Sequence, residues 1–300
     1  MGPTSPPRCL VLGGSGYLGG HVLQRLRHTV GQDVVGTGRR PNQEGLAALD
    51  VMDLPMLEAR VQSLQPSVVL WAIKADHDEA TLIDSGLGCV LAVLPPTARF
   101  VFVSSDAVFG RGCGPYFEDA PPAAPSADSP TAAYSSAKMR GEATVQASRR
   151  PTTVVRVGPL YGPDVHGRWD GRTTIMVQAF AAGRTVARAP NLVKSFVRVE
   201  DAAAVLARLM LAPAPGIVHV ATPAKSYYDV ARAVATATGY PVEQVRAAPV
   251  PADSPLPRNT ALATRHPERL AGLRRALDFS GGALGGVGTS GVLPSATIGP

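Results

Sequence analysis

The chain has few of the residues that mark a disulfide-stapled, metal-binding or membrane-spanning protein. Its 300 residues include three cysteines, Cys9, Cys89 and Cys113, which are too few and too widely spaced for a disulfide framework or a zinc site. The histidines form no paired ligand motif. No apolar run is long enough to span a bilayer, and the proline-rich Met1–Pro7 lacks the apolar core of an export signal. We therefore expect reduced thiols, no bound metal, no membrane partner and a cytoplasmic location.

Aromatic residues and lysines are also scarce. Aromatics make up 5% of the chain, and arginine carries most of the formal net charge of +6. The arginines are scattered and lack the interleaved aromatics that are typical of nucleic-acid surfaces. A basic balance suits an anionic small molecule equally well. We therefore expect a small-molecule substrate and no nucleic-acid partner, on a globular protein with ample core for one large domain or two small ones.

Apolar runs alternate with helical patterns through the first half of the chain. The predicted strands are Leu10–Leu12, Val34–Val35, Val68–Leu70, Phe100–Val103 and Thr153–Val157. The predicted helices between them are His21–Arg27, Pro55–Leu64, Glu79–Leu94 and Ala133–Ser148. Strict alternation of strand and helix predicts an α/β fold with a doubly wound parallel sheet.

The alternation loosens in the second half. We predict a first domain over residues 8–157, completed by about 192–222, and a smaller interleaved C-terminal substrate lobe formed by 158–191 and 223–279. The elements predicted there are helices at Thr174–Ala182, Asp201–Leu211 and Ser226–Thr238 and short strands at Lys194–Val199 and Ile217–Ala221. The uncharged, glycine- and serine-rich residues 281–300 predict a disordered tail.

A glycine-rich turn directly follows the first predicted strand. A strand, a glycine turn and the start of a helix are the elements that hold the pyrophosphate of a dinucleotide. Gly13 permits the tight turn, Gly16 lets the backbone approach a phosphate, and Gly19 lets the helix pack closely on the strand. The residues expected at the cofactor here are Gly13, Ser15, Gly16, Tyr17, Leu18 and Gly19.

The end of the second predicted strand distinguishes between cofactors. An acid usually stands there in an NAD site, whereas this chain has Arg39 and Arg40, which suit the 2′-phosphate of NADPH. Two solvated loop arginines are the alternative, and NADH stays open. Further on, Asp50 and Val51 follow a short apolar segment, and Asp50 is expected near the adenine amino group unless it is an ordinary loop acid.

Tyr134 and Lys138 lie four residues apart in a predicted helix and so share one face. A phenol has a pKa of about 10 and exchanges protons poorly near neutral pH. An adjacent ammonium is expected to lower that pKa toward the working range. Upstream, Ser105 and Asp106 stand at the carboxyl end of a predicted strand, where a doubly wound sheet meets its ligand. The serine can hydrogen-bond a substrate oxygen there, although two serines at a strand end are often only a turn.

Taken together, these residues resemble the extended short-chain dehydrogenase/reductase family, from about Arg8 to Ala221 and more loosely to Phe279. The order of the motifs is most similar to nucleotide-sugar 4-ketoreductases of the dTDP-4-dehydrorhamnose reductase type. The matching blocks are Ser104–Phe109, Pro115–Asp119, Tyr134 to Lys138 with Gly141–Glu142, Arg156–Gly162 and Phe196–Ala202. The resemblance implies a Rossmann fold and a nicotinamide cofactor.

The resemblance also implies roles for individual residues. Ser105 would polarise a carbonyl, Tyr134 would be the general acid in reduction, and Lys138 would hold the nicotinamide ribose and tune Tyr134. Gly158 would lie near the nicotinamide. Where the family often has Asn-Ala-Ala after the fourth strand, this chain has Ala72, Ile73 and Lys74 after a tryptophan. We expect all three beside the cofactor, although Lys74 can equally be a solvated loop residue.

A nucleotide-linked substrate would need cations for its diphosphate. Arg172, Arg198 and Arg258 lie in the predicted substrate lobe, and each can instead be a plain surface arginine. Asp106, expected at the substrate, is followed by an alanine and not by the second carboxylate of related dehydratases. The sequence therefore favours NADPH-dependent reduction of a keto group on a dTDP-type deoxysugar. An epimerase and a non-catalytic regulatory subunit of the same fold stay open as alternatives, as does a homodimer.

Overall fold

A parallel sheet forms the centre of the protein. The computed structural model describes residues 7–40, 45–75 and 78–281. In chain order its strands are β1 (Cys9–Leu12), β2 (Val34–Gly38), β3 (Leu46–Ala48), β4 (Val68–Trp71), β5 (Arg99–Ser105), β6 (Thr152–Val157), β7 (Leu160–Tyr161), β8 (Val186–Arg188), β9 (Val193–Lys194), β10 (Val197–Arg198), β11 (Gly216–Val220), β12 (Lys225–Ser226) and β13 (Val245–Ala247). Seven of them pair in the order β11-β6-β5-β4-β1-β2-β3, with every pair parallel. The predicted doubly wound α/β sheet is confirmed.

Helices connect these strands, as the alternation of patterns predicts. In chain order they are α1 (Tyr17–Val30), α2 (Leu54–Leu64), α3 (Glu79–Thr81), α4 (Gly88–Val93), α5 (Ala132–Ala147), α6 (Gly171–Ala181), α7 (Val199–Leu211) and α8 (Tyr227–Thr238). The single helix predicted over Glu79–Leu94 is divided, because a π-helical segment, Leu82–Leu87, joins α3 to α4. Gly86 and Gly88 lie in or beside this segment, and glycine lowers the intrinsic preference for a regular helix.

The helices cover both faces of the sheet. On one face Val11 of β1 shares a buried cluster with Val22 of α1 and Leu206 of α7. On the other face the neighbouring Leu10 shares a cluster with side chains of α2, α4 and α5, such as Val145. Because both faces of each central strand are covered, the strands appear in the sequence as continuous apolar runs.

A further apolar cluster joins the elements of the second half of the chain. It contains Phe180 of α6, Val234 of α8, Val186 of β8, Val245 of β13 and Phe279 near the end of the described residues. This cluster forms the smaller lobe beside the sheet. The residue bounds predicted for the two domains stay a prediction. Of the tail predicted over 281–300, all but the first residue lies outside the described part of the chain.

The strand predicted over Lys194–Val199 is interrupted. β9 ends at Lys194, β10 begins at Val197, and Val199 is already the first residue of α7. Between the two strands, the buried Ser195 hydroxyl is within hydrogen-bond distance of the carbonyls of Thr222 (2.9 Å) and Leu262 (3.2 Å). Hydrogen bonds of the Ser195 side chain, and not a continuous ladder of backbone hydrogen bonds, therefore hold the chain at this point.

Neither a membrane span nor a metal cluster is found in the parts of the chain that the structure describes. No helix there has both the length and the apolar character needed to cross a bilayer. No group of three or more His, Cys, Asp or Glu side chains there is arranged to hold a metal ion.

A buried polar network ties α5 to the sheet. The Glu142 carboxylate accepts hydrogen bonds from the Ser104 hydroxyl (2.6 Å) and from Arg156 Nε (2.9 Å) and Nη2 (2.7 Å). The Arg156 side chain is 1% exposed and that of Glu142 is 3% exposed. Burial and then the Arg156 charge lower the pKa of His219, which lies 3.3 Å from Arg156 Nη1. The Glu142 carboxylate therefore compensates the positive charge of Arg156 within this network.

Glu142→Ala should destabilise the protein by about 3–5 kcal/mol, because it leaves the Arg156 charge buried and unpaired. Urea denaturation followed by circular dichroism measures the change in the free energy of unfolding. Glu58→Ala is the matched control, since Glu58 is an exposed residue of α2 that contacts Gln62 one turn away. An equal, small effect of both substitutions would contradict a structural role for the buried pair.

Candidate active site

The glycine turn between β1 and α1 is closely packed. Gly13 has φ +88°, and a Cβ atom at this position would lie 2.9 Å from the carbonyl oxygen of Ala72. A Cβ atom at Gly19 would collide with the carbonyl oxygen of Gly13. These contacts explain why glycine is required at both positions, and they place the start of α1 directly over the end of β1.

The first turn of α1 is suited to an anion. Gly16 precedes the helix, and within the described residues no side chain caps its end and no acidic residue lies in its first turn. The backbone N–H groups of Tyr17, Leu18 and Gly19 are at the positive end of the helix dipole. Such an end suits the pyrophosphate of a dinucleotide. Ser15, in the same turn, is exposed, and its N–H donates to the Thr37 carbonyl (3.3 Å).

The predicted adenosine residues lie at the neighbouring strand ends. Arg39 and Arg40 are exposed immediately after β2, and Asp50 is exposed two residues after β3, which pairs with β2. The Asp50 carboxylate accepts a hydrogen bond from the Met52 N–H (3.0 Å) and so shapes the turn before α2. Val51 is buried in the core. The two arginines and the acid therefore share the carboxyl edge of the sheet with the glycine turn.

A cleft of about 950 Å³ opens at this carboxyl edge. Many of the predicted site residues line it together: Tyr17, Leu18, Ala72, Ile73, Lys74, Ser105, Asp106, Tyr134, Lys138, Gly158 and Arg172. The cleft is bounded on one side by the sheet and on the other by the smaller lobe, through residues such as Leu192, Tyr227 and Thr260. Residues from distant parts of the chain thus converge on one volume.

Tyr134 and Lys138 face the same side of α5, as their spacing predicts. Lys138 Nζ lies 5.8 Å from the centroid of the Tyr134 ring, and Lys74 Nζ lies at the same distance of 5.8 Å. Lys138 is buried and also lies 5.2 Å from the ring centroid of Phe102 in β5. Two lysines from different elements therefore face one phenol.

The expectation that Lys138 lowers the pKa of Tyr134 is wrong for this structure. Burial raises the pKa of Tyr134 above its usual range, the carboxylates of Glu79 and Asp106 raise it further, and hydrogen bonding to Ser105 lowers it in part. Lys138 Nζ is itself paired with Glu79 Oε1 at 2.7 Å, so its charge is compensated. Burial lowers the pKa of Lys138, and Glu79 opposes that shift.

Asp106 is held in a second charged cluster at the cleft wall. Its carboxylate accepts hydrogen bonds from Lys194 Nζ (2.8 Å), from the Thr260 hydroxyl and from the Ser105 hydroxyl (3.2 Å). Burial lowers the pKa of Lys194, but the Asp106 charge, the neighbouring Tyr227 and the hydrogen bond to Asp106 together more than offset this effect, so the pKa of Lys194 is raised. Lys194 therefore stays cationic beside the cleft. The Ser105 oxygen also accepts from the Ala107 N–H (3.1 Å).

Glu79 and Lys194 are site residues that the sequence analysis missed. The scarcity of lysine was the available signal, because Lys74, Lys138 and Lys194 all line the cleft and only Lys225 does not. Glu79 gave a weaker signal, as an acid at the start of the helix that follows β4. Glu79 is only 7% exposed, and an acidic residue is rarely buried to this degree without a partner.

Arg198 and Arg258, both expected at the substrate, make contacts elsewhere in the fold. It is 5% exposed and pairs with Glu200 and with Asp278, at 3.5 Å, so it fastens the end of the described chain to α7 and is absent from the described residues that line the cleft. Arg258 is likewise not among those lining residues. Its Nη2 donates to the Pro251 carbonyl (2.5 Å). Both guanidinium groups have structural contacts that only the folded chain creates.

A side chamber of about 330 Å³ adjoins the cleft. The two volumes share the lining residues Asp170, Arg172, Leu192 and Tyr227. The chamber walls are largely apolar and aromatic, with Tyr161, Met176, Phe196, Val230 and Val250 among them. Arg172 is half exposed on the shared wall, and its Nη2 donates to the Leu160 carbonyl (2.6 Å). The chamber can therefore take a flat apolar group whose charged neighbour meets Arg172.

The glycine turn, the open helix end and the Ser105, Tyr134 and Lys138 side chains in one cleft define an NAD(P)-dependent enzyme of the extended short-chain dehydrogenase/reductase type. Residues 9–221 match the family described as the NAD dependent epimerase/dehydratase family, and the chain belongs to that family.

Individual proteins show the same likeness. The spore coat polysaccharide biosynthesis protein SpsK of Bacillus subtilis is 25% identical over 245 residues, which span 77% of this chain and 80% of that protein. A 3-diazoavenalumate denitrifying reductase of a Streptomyces species is 29% identical over 230 residues, spanning 71% of this chain and 75% of that protein. The crystal structure of a hypothetical dTDP-4-dehydrorhamnose reductase from Sulfolobus tokodaii superposes with a TM-score of 0.73 at 19% identity, covering 90% of this chain and 97% of that one.

Gly19→Ala should weaken NADPH binding at least about tenfold, because the added methyl group displaces the turn that would carry the pyrophosphate. Fluorescence titration with NADPH measures the dissociation constant. Gly88→Ala is the control, since a Cβ atom there meets nothing within 4 Å. Unchanged binding in Gly19→Ala would contradict the assignment of the turn.

Proposed function

We propose that this protein catalyses the NADPH-dependent reduction of a keto group on a nucleotide-activated deoxysugar of the dTDP type. The observation that carries the proposal is the convergence of Ser105, Tyr134 and Lys138 on one cleft next to the glycine turn. These residues supply an oxygen ligand, a proton donor and a cation for a nicotinamide ribose. Family membership supports the use of a nicotinamide dinucleotide.

NADPH would supply the hydride that reduces the keto carbon. In the proposed reaction the Ser105 hydroxyl rotates from Asp106 to the carbonyl oxygen and polarises it. Tyr134 would then give its phenolic proton to the carbonyl oxygen, so that the C=O bond would become a CH–OH group with the hydride that the cofactor supplies. The proton on Tyr134 is replaced from solvent after the product leaves.

Cations on the wall of the cleft support an anionic substrate. Arg172 lies on the wall shared with the side chamber and suits a diphosphate. Lys194, paired with Asp106, adds a positive charge nearer to Ser105. The aromatic walls of the chamber, with Phe196 and Tyr227, suit a nucleobase. A nucleotide-linked sugar bound in this way would present its sugar to Tyr134.

Net reduction is favoured over epimerisation by two observations. An epimerase must use its tyrosine as a base before it uses it as an acid, and burial and the neighbouring carboxylates raise the pKa of Tyr134, which disfavours the phenolate base that would start epimerisation. Arg39 and Arg40 beside the second strand suit the 2′-phosphate of NADPH, the cofactor that net reductases consume. A non-catalytic subunit would not need Ser105, Tyr134 and Lys138 together in one cleft, which favours an enzyme.

A second candidate is hydride transfer to a non-sugar substrate. The relative at 29% identity is named for a reductase of 3-diazoavenalumate, and the apolar chamber beside Arg172 suits an organic carboxylate as well as a nucleobase. The two candidates share the cofactor and differ in what fills the chamber.

Tyr134→Phe should lower kcat about 10²–10⁴-fold, because the variant lacks the proton donor, while the dissociation constant for NADPH stays within about threefold. NADPH consumption with a panel of dTDP- and UDP-linked 4-keto-6-deoxysugars, with diazo and keto acids added, provides the assay. Tyr228→Phe is the control, since Tyr228 contacts Arg232 on α8 and lines neither cavity.

The panel separates the candidates. Turnover of a keto sugar supports the main proposal, and turnover only of the non-sugar acids supports the second candidate. No turnover across the whole panel, with NADPH binding intact, would overturn both. Full activity of Tyr134→Phe would overturn the role of the phenol.

The paired substitution Arg39→Ala with Arg40→Ala should raise KM for NADPH about tenfold or more and leave KM for NADH nearly unchanged, because only NADPH carries the 2′-phosphate. Steady-state kinetics with both cofactors measure the two ratios. Arg25→Ala, an exposed arginine of α1, is the control. Equal KM values for both cofactors in the unsubstituted protein would contradict the preference for NADPH.

A further inference from the structure

We propose that Lys194, together with Asp106, binds a hydroxyl group on the substrate carbon next to the reacting carbonyl. The inference rests on the proposed function and deepens it, because it restricts the substrate to an α-hydroxy ketone. No sequence pattern singled out Lys194, and the proposed reaction uses it only as a positive charge on the wall of the cleft.

The backbone that carries Lys194 is held on both sides of its strand. In β9 Lys194 pairs with Lys225 of β12. On the other side, the N–H of the preceding Val193 donates to the Arg258 carbonyl (2.7 Å), and the Val193 carbonyl accepts from the Thr260 N–H (3.1 Å). The position of Lys194 is therefore fixed by the fold, and a donor fixed in this way loses little freedom when a substrate binds.

The Lys194 ammonium has one hydrogen that is not used within the fold. An ammonium carries three donors. Two of them meet Asp106 Oδ2 (2.8 Å) and the Thr260 hydroxyl oxygen (2.7 Å), and the Thr260 hydroxyl donates in turn to Oδ2. In the described part of the chain no third acceptor lies within hydrogen-bond distance of Nζ. The side chain is 19% exposed and lines the cleft, so the third hydrogen is accessible to a ligand there.

This donor lies next to the place where the carbonyl would bind. One oxygen of the Asp106 carboxylate contacts Lys194, and the other accepts from the Ser105 hydroxyl at 3.2 Å. A single carboxylate group therefore separates the Lys194 ammonium from the Ser105 hydroxyl. A ketone oxygen bound at Ser105 and an oxygen on the next carbon of the same molecule can span that gap.

The Asp106 carboxylate supplies an acceptor that complements the donor. In the proposed reaction the Ser105 hydroxyl turns from Oδ1 to the carbonyl, and no other group of the described residues donates to Oδ1. Asp106 is only 3% exposed, and a buried acceptor that loses its partner is costly. A substrate hydroxyl that accepts from Lys194 and donates to Oδ1 would satisfy both groups at once.

Charge compensation favours a hydroxyl over an anion at this point. The Lys194 ammonium and the Asp106 carboxylate, 2.8 Å apart, form a pair with no net charge. A substrate carboxylate placed there would meet the negative charge together with the positive one, so little net attraction would remain. The raised pKa of Lys194 keeps all three hydrogens on Nζ at neutral pH. The pair therefore selects by hydrogen bonding, with one donor and one acceptor for the same hydroxyl.

Matched substrates test the inference on the unsubstituted protein. Each dTDP- or UDP-linked 4-keto-6-deoxysugar is compared with its 3-deoxy analogue, which has a hydrogen in place of the hydroxyl next to the keto carbon. The kcat/KM of the hydroxylated substrate should exceed that of the analogue about 10²-fold or more, because the analogue leaves Lys194 and Asp106 without their partner. Equal kcat/KM values for the two would overturn the inference and leave the proposed function standing.

Lys194→Met assigns the discrimination to the ammonium, since methionine keeps an unbranched side chain and lacks the donors. The ratio of the two kcat/KM values should fall at least about tenfold in this variant. Lys225→Met is the matched control, because Lys225 lies opposite Lys194 in the strand pair and lines neither cavity, and it should keep the ratio. An equal loss for both substrates, with the ratio unchanged, would assign Lys194 a structural role and overturn the inference.

A second variant covers the case in which Lys194→Met does not fold. Lys194→Met combined with Asp106→Asn also removes the carboxylate that would otherwise stay buried without its cation. Circular dichroism checks the fold, and the folded double variant should likewise lose the preference for the hydroxylated substrate. Retained preference would overturn the inference. Loss of the fold in both variants would assign Lys194 to stability and overturn its role in selection.

Calorimetric titration distinguishes a failure of the inference from a failure of the proposed function. The same matched pairs are titrated into the protein saturated with NADP⁺, which has no hydride to transfer. If no substrate is reduced but the hydroxylated member binds more tightly, and Lys194→Met abolishes this preference, the reduction is rejected and the hydroxyl site is supported. If neither member binds and neither is reduced, both proposals are overturned.

Discussion

The buried ion pair between Glu142 and Arg156 is the contact on which the geometry of the site depends. Glu142 projects from α5 one turn beyond Lys138, and Arg156 projects from β6, so the pair fixes the helix against the sheet. Ser104 donates to the same carboxylate and thereby fixes the end of β5, where Ser105 stands. Separating the two partners of a buried ion pair costs much free energy, because each charge would then be buried without compensation.

Paired charges determine the electrostatics of the cleft. The three lysines that line it, Lys74, Lys138 and Lys194, come from separate elements, and the two that are buried or nearly so each contact a carboxylate, Glu79 or Asp106. Lysine suits such a site because it is a compact charge whose pKa responds to its surroundings. The charges around the Tyr134 phenol thus come from three strand ends. Their balance favours a protonated phenol over a phenolate base.

Local patterns were enough for much of the fold and for part of the site. Apolar runs separated by helical patterns predicted the sheet because each strand is buried on both faces. The glycines at 13 and 19 predicted the turn because backbone geometry and close packing exclude a side chain there. The pairing of Lys138 was not predictable, since Glu79 lies far from it in the chain. The pairing of Arg198 with Asp278 was hidden for the same reason, because the two residues are remote in the chain.

The sequence alone determined the family, the position of the dinucleotide turn and the shared face of Tyr134 and Lys138, all of which depend on residues close together in the chain. Only the tertiary structure decided the electrostatics. It placed the Glu79 carboxylate beside Lys138 and brought Lys194 to the cleft. It also raised the pKa of the Tyr134 phenol, where the sequence predicted a lowered one. The physical reason is that the effect of a charge on a neighbouring pKa depends on burial and on paired charges, and neither is fixed until distant segments of the chain meet.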